Sequence, residues 1–161
     1  MTSLAIPADI QSVEPSYRNA LRARAAIFWI PLFIASLVLD RTVLALTSIA
    51  GLAPSLIGAV ALSGIIIAPD RIYRRLGYAI DGRLLRTVRG WLFHADTIVP
   101  FVRVQHIDVT RGPFDKLFGT ATLVVHTAGT HNSIVTLPGL SPERAAEIRE
   151  AIRNEIRADA D

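Results

Sequence analysis

The stretch AAIFWIPLFIASLVLDRTVLALTSIAGLAPSLIGAVALSGIIIA, Ala25 to Ala68, decides the fold. Its only ionisable residues are the adjacent Asp40 and Arg41. At about 1.5 Å rise per residue a single helix would reach about 66 Å, twice the roughly 30 Å hydrocarbon core of a bilayer, so the run folds back as two spans. A helical hairpin buried in a soluble protein would carry a polar face, and this block has none. A signal peptide fits poorly, because residues 1–24 contain Asp9 and Glu14 and the apolar run is too long for an h-region.

Two positions for the turn are compatible with the sequence. A turn at Asp40-Arg41-Thr42 makes the first span short and the second long; a turn near Thr47 to Pro54 leaves both charges close to the far interface. Charges at mid-bilayer cost about 2.5–3.5 kcal/mol each on insertion scales, so both arrangements keep Asp40 and Arg41 near headgroups. We favour the second. Pro31 is placed in the first turns of span one and Pro54 near the start of span two, where a missing amide is best tolerated.

The flanks orient the hairpin. Arg18, Arg22 and Arg24 precede it, Arg71, Arg74 and Arg75 follow it, and the turn carries one Arg balanced by one Asp. Positive flanks stay cytoplasmic, which predicts a multi-pass inner-membrane protein with both termini in the cytoplasm. The full chain of 161 residues is 51% hydrophobic, 19% charged and free of cysteine, and the last point agrees with a reducing compartment. Three regions are expected: a cytoplasmic segment at 1–24, the hairpin at 25–68, and a cytoplasmic domain at 69–161.

From Gly77 the apolar period becomes that of strands. GYAIDGRLLRTVRG reads as a hairpin turning at Asp81-Gly82, WLFHADTIVP as a strand or bent pair ending at Pro100, and RVQHIDVTR as a strand with Gln105, Ile107 and Val109 on one face. TATLVVHTAG and SIVTLP supply two more. SPERAAEIREAIRNEIRADAD is an amphipathic helix capped by Ser141, with Pro142 first and Ala145, Ile148, Ile152 and Ile156 on one stripe. Antiparallel strands followed by one helix suit a small barrel or curved sheet whose open end the helix covers.

These residues resemble the YdbS-like bacterial pleckstrin-homology domain family, from about Tyr17 to Arg153. The resemblance is carried by Arg74-Arg75 through Gly77-Tyr78, Val99-Pro100 with Arg103 and Gln105, Gly112-Pro113 with Phe118-Gly119, and Thr127-Ala128-Gly129, in that order. It implies a two-span hairpin followed by a PH-like barrel of about seven antiparallel strands closed by a C-terminal helix, with no catalysis and no established ligand.

The loop RGPFDKLFG, Arg111 to Gly119, tests an alternative. A phosphate-binding P-loop needs Lys-Ser or Lys-Thr at a helix start, but here Lys116 precedes Leu117 and the loop runs into a strand. It reads instead as a bend followed by a short helical turn that folds Phe114, Leu117 and Phe118 onto the barrel. His94, His106, His126 and His131 lack metal-ligand spacing, although His106 and His126 can approach across paired strands. A hydrolase would rest on Ser133 beside His131. Neither a metal nor a cofactor is expected.

The net charge of +3 is too modest to argue nucleic acid, and nothing points to a small-molecule substrate. Arg71, Arg74, Arg75 and Lys116 are the candidate lipid contacts. Arg103, Gln105, Gly58 and Gly64 are candidate protein contacts, the two glycines because small residues let helices approach closely. Arg103, Arg111 and Lys116 are expected to crowd one rim. The expected role is a non-enzymatic, membrane-anchored module that assembles with itself or another integral membrane protein, with a lipid-headgroup sensor as the alternative.

Overall fold

The computed structural model describes residues 10–91, 94–128 and 134–158. The elements run β1 (Gln11–Ser12), α1 (Ser16–Leu39), α2 (Leu52–Leu62), α3 (Ala68–Arg74), β2 (Gly77–Asp81), β3 (Leu84–Arg89), β4 (Ala95–Pro100), β5 (Val104–Thr110), α4 (Pro113–Phe118), β6 (Ala121–Thr127), β7 (Ile134–Leu140) and α5 (Pro142–Ala158).

Two helical rods are long and apolar enough to cross a membrane, Ser16–Leu44 and Leu52–Arg74. Ile27, Phe28, Ile34, Val38, Leu56 and Val60 project outward, more than half exposed, as suits side chains solvated by lipid. The chain turns between them at residues 45–51, the second of the two positions considered above. Asp40 is buried there, and its Oδ1 accepts the Gly51 amide at 2.7 Å, so this carboxylate ties the end of the first rod to the start of α2. Because α1 begins at Ser16, Pro31 lies in the helix interior and not in its first turns. A wide, π-helical turn at Ser63–Ile67 joins α2 to α3, with the Ala68 amide reaching the Ser63 carbonyl five residues back. Pro69 follows at once and has no amide to donate, which accounts for a break in the regular ladder here.

The hairpin packs on its own small residues. A Cβ on Gly58 would stand 3.0 Å from Phe33 Cε2, and one on Gly64 would stand 2.5 Å from the Trp29 indole nitrogen. Both glycines therefore make room for aromatic rings of the other span.

The seven strands form two antiparallel sheets, β1-β2-β3-β4 and β5-β6-β7. This corrects the expectation of a closed barrel: among the described residues no ladder joins β4 to β5 or β1 to β7. At the first junction Pro100 is followed by a 3-10 turn at Phe101–Arg103 that carries the chain from one sheet to the other. At the second, β1 has only two residues, and the link is a single bond from the Glu14 amide to the Gly139 carbonyl at 2.7 Å. The hairpin after β2 turns at Gly82-Arg83, one residue later than Asp81-Gly82, since Asp81 still pairs with Leu84. Gly82 takes φ +52°, which glycine adopts without strain.

Between the sheets lies a core built from Tyr78, Leu85, Val99, Leu123, Val125 and Leu137, among others. α5 closes it with Ala145, Ile148 and Ile152, all fully buried, and with Ile156 partly buried. Ser141 caps this helix by accepting the Arg144 amide at 3.1 Å. The N-terminal segment belongs to the same core: Val13, Tyr17 and Ala20 are buried in it, so the first turns of α1 pack against the domain before the helix enters the span.

Candidate functional site

β2 leaves α3 after two residues, which sets one end of the sheets beside the spans and the other about a strand length away, roughly 16–23 Å. The residues singled out above divide between these two ends.

At the membrane end, α1 and α3 face each other across a cleft of about 380 Å³ lined by Arg22, Ile66, Ile67, Asp70, Arg71 and Arg74. Asp70 is fully engaged, its Oδ1 by Arg18 Nη1 at 3.2 Å and its Oδ2 by Arg74 Nε at 2.8 Å. Arg22 and Arg71 pair with no carboxylate among the described residues. The Nε–H groups of Arg18 and Arg22 are shielded from solvent without a hydrogen-bond acceptor. The Arg18 guanidinium also sits 5.9 Å from the Tyr73 ring centre. Arg75 points elsewhere, donating to the Trp91 carbonyl at 3.4 Å at the edge of a second cleft of about 430 Å³.

Lys116 is exposed on α4, which packs against α1. Phe114 and Phe118 turn toward the core as expected, but Leu117 does not: it is 74% exposed beside Lys116. What holds α4 in place is Asp115, a residue that sequence reasoning passed over. This buried carboxylate accepts the Gly112 amide at 3.0 Å, the Thr120 hydroxyl at 3.1 Å and Arg24 Nη2 at 3.2 Å. Arg24 in turn lies 5.6 Å from the Phe114 ring centre. The signal in the sequence was an acid at the third position of a Gly-Pro helix start, where it reaches back to a free amide.

At the far end, Arg103 closes the 3-10 turn before β5, so the whole length of β5 separates it from Arg111 and Lys116, and the three do not share a rim. The β5–β6 register shifts between Val104 and His106. The bulge leaves Val104, Ile107 and Val109 against the core and turns Gln105 out, away from the face it was expected to share. Gln105 and His106 line a groove of about 350 Å³ between β5 and the end of α5, opposite Arg153, Ile156 and Arg157. Val102, next to Arg103, is 72% exposed.

His106 and His126 lie opposite each other on β5 and β6, with ring centres 5.9 Å apart. They share the Asp108 carboxylate, His106 Nε2 at 2.9 Å and His126 Nε2 at 3.5 Å. Among the described residues no cluster of histidine, aspartate and glutamate is arranged to hold a metal ion. His131 and Ser133, on which a hydrolase would rest, lie outside the described residues, as does Gly129.

A family model, Bacterial PH domain, matches residues 25–156. Among curated proteins, the transmembrane protein YdbS of Bacillus subtilis (strain 168) is 33% identical over 109 residues, which span 65% of this chain and 67% of that protein. No solved structure matches the chain.

Proposed function

The chain belongs to the bacterial PH domain family, and from that premise we propose that it is a non-enzymatic module anchored by its hairpin in the cytoplasmic membrane, with both termini in the cytoplasm, that assembles with a protein partner. The division into a cytoplasmic N-terminal segment, a two-span hairpin and a PH-like domain is part of the same reading. Two inserted spans hold the domain at the membrane more firmly than a headgroup pocket can, which frees the rest of its surface for another task.

The observation that carries the reading is the groove at the end away from the spans. β5 is an edge strand of its sheet, its bulge presents Gln105, Arg153 and Arg157 line the groove with positive charge, and Arg103 and exposed Val102 stand in the turn just before β5. A free strand edge with alternating pockets is a recurring way to receive an extended segment, and the charge here favours an acidic one. The partner is a second copy of this chain or another integral membrane protein. Gly58 and Gly64 contribute indirectly, by holding the hairpin closed on Phe33 and Trp29.

The test is extraction of the native protein in mild detergent. A complex clearly larger than a 17.5 kDa chain with its micelle is expected, and Arg103→Glu or Gln105→Ala should reduce it while leaving the chain folded. A monodisperse monomer from native membranes would sink the assembly reading. The alternative, a headgroup sensor, is favoured by a different observation, the juxtamembrane arginines.

A further inference from the structure

We propose that Arg22, Arg71 and Arg74 form a site for the phosphate of an anionic membrane lipid, a site independent of the assembly groove.

The depth of the cleft is right for a headgroup. Arg22 stands three residues before the apolar run begins and Arg71 three residues after it ends, so both helices bring a guanidinium to the same boundary. From Arg22 to Leu44 the first rod rises about 33 Å, close to the roughly 30 Å thickness of the hydrocarbon. The floor is apolar: Ile66 and Ile67, each about half exposed, come from the wide turn immediately below. One side of the cleft thus suits an acyl chain and glycerol, and the other suits a phosphate.

The charges are arranged for an anion that the described residues do not supply. Arg18 and Arg74 occupy both oxygens of Asp70, the one acid among the described residues that line the cleft. That leaves Arg22 and Arg71 without a carboxylate partner among the described residues, where the Arg22 Nε–H is also shielded from water and lacks an acceptor. Guanidinium groups are weakly hydrated and bind phosphate oxygens in pairs, so an entering phosphate would take the place of the carboxylate that Arg22 and Arg71 lack among the described residues. Arginines that only set topology need to be present in number. They do not need to converge from two helices onto one cleft of about 380 Å³.

A free phosphate offers the same oxygens, and the lipid is favoured because Ile66 and Ile67 extend the site toward the acyl region. The experiment uses the full chain, delipidated in mild detergent and mixed with micelles of phosphatidylcholine or phosphatidic acid, with bound lipid counted by native mass spectrometry. One phosphatidic acid should be retained in preference to phosphatidylcholine, and Arg71→Gln should weaken retention about tenfold, a change of about 1.4 kcal/mol. Arg71 is exposed and has no carboxylate partner among the described residues, so this variant carries the test even if Arg22→Gln fails to fold. Arg149→Gln on α5 should retain the lipid like the unmodified chain. Equal retention of the two lipids, or equal loss in Arg149→Gln, would overturn the site. Complete displacement by excess inorganic phosphate would overturn the lipid assignment in favour of a soluble phosphate.

Discussion

Replacing Asp115 with alanine should loosen the domain where it meets the first span. The carboxylate is 4% exposed and accepts three hydrogen bonds, from the Gly112 amide, the Thr120 hydroxyl and Arg24. Thr120 is fully buried, so its hydroxyl loses its acceptor with no water to replace it, and the Gly112 amide is only half-buried. A buried donor left unmet costs about 1–3 kcal/mol. The Arg24 side chain is 41% exposed and regains water, so its share is under about 1 kcal/mol. The sum is about 2–4 kcal/mol, and at roughly 4–8 °C per kcal/mol for a domain of this size Tm should fall by about 8 °C or more. Asp115→Asn keeps one oxygen acceptor and should lose about half as much, while Arg24→Gln, which leaves the other two bonds in place, should lose under about 1 kcal/mol. Thermal unfolding in mild detergent at a fixed heating rate, followed by tryptophan fluorescence, reads all three. If Asp115→Ala shifts the midpoint by no more than Arg24→Gln does, the carboxylate is not organising the loop and the reasoning fails.

Two further outcomes follow from the same contacts. Gly139 takes φ +79°, and a Cβ there would stand 2.6 Å from Tyr17 Cγ, so Gly139→Ala should cost more than about 2 kcal/mol from backbone strain and collision together; a double variant with Tyr17→Ala should recover the collision part, and strictly additive losses would contradict the contact. The Arg86 guanidinium, donating from Nε to Asp96 at 2.9 and 3.1 Å across β3 and β4, holds the Asp96 carboxyl below the usual carboxylate range. A depressed carboxylate contributes stability above its unfolded pKa of about 3.9 and loses it as pH falls through the folded value, so Asp96→Asn should flatten the acid limb of a stability profile and leave its slope near neutrality unchanged.

Local signals were enough for most of the elements. The unbroken apolar run, the period-2 stretches from Gly77 onward and the stripe of Ala145, Ile148, Ile152 and Ile156 each announce themselves, because the hydrophobic effect imposes a spacing that can be counted along the chain. The seventh strand could not be counted. Gln11-Ser12 is two residues long, and only its pairing with Gly77 and Tyr78, on the far side of the hairpin in sequence, makes it a strand. The same limit hid the burial of Tyr17 and Ala20 and the place of Asp115, since their partners, Gly139 and Arg24, are distant in sequence.

The basic residues show the boundary most clearly. Their sequence positions settle that arginines flank the hairpin, because the apolar run excludes charge. Which of them find a partner is decided by the packing of α1 against α3: Asp70 has two oxygens, Arg18 and Arg74 take both, and among the described residues no carboxylate is left for Arg22 and Arg71, which face the cleft. Likewise the alternation along β5 placed Gln105 on one face with Ile107 and Val109. The bulge after Val104 decided otherwise, because an extra residue in one strand reverses the side on which the next side chain emerges.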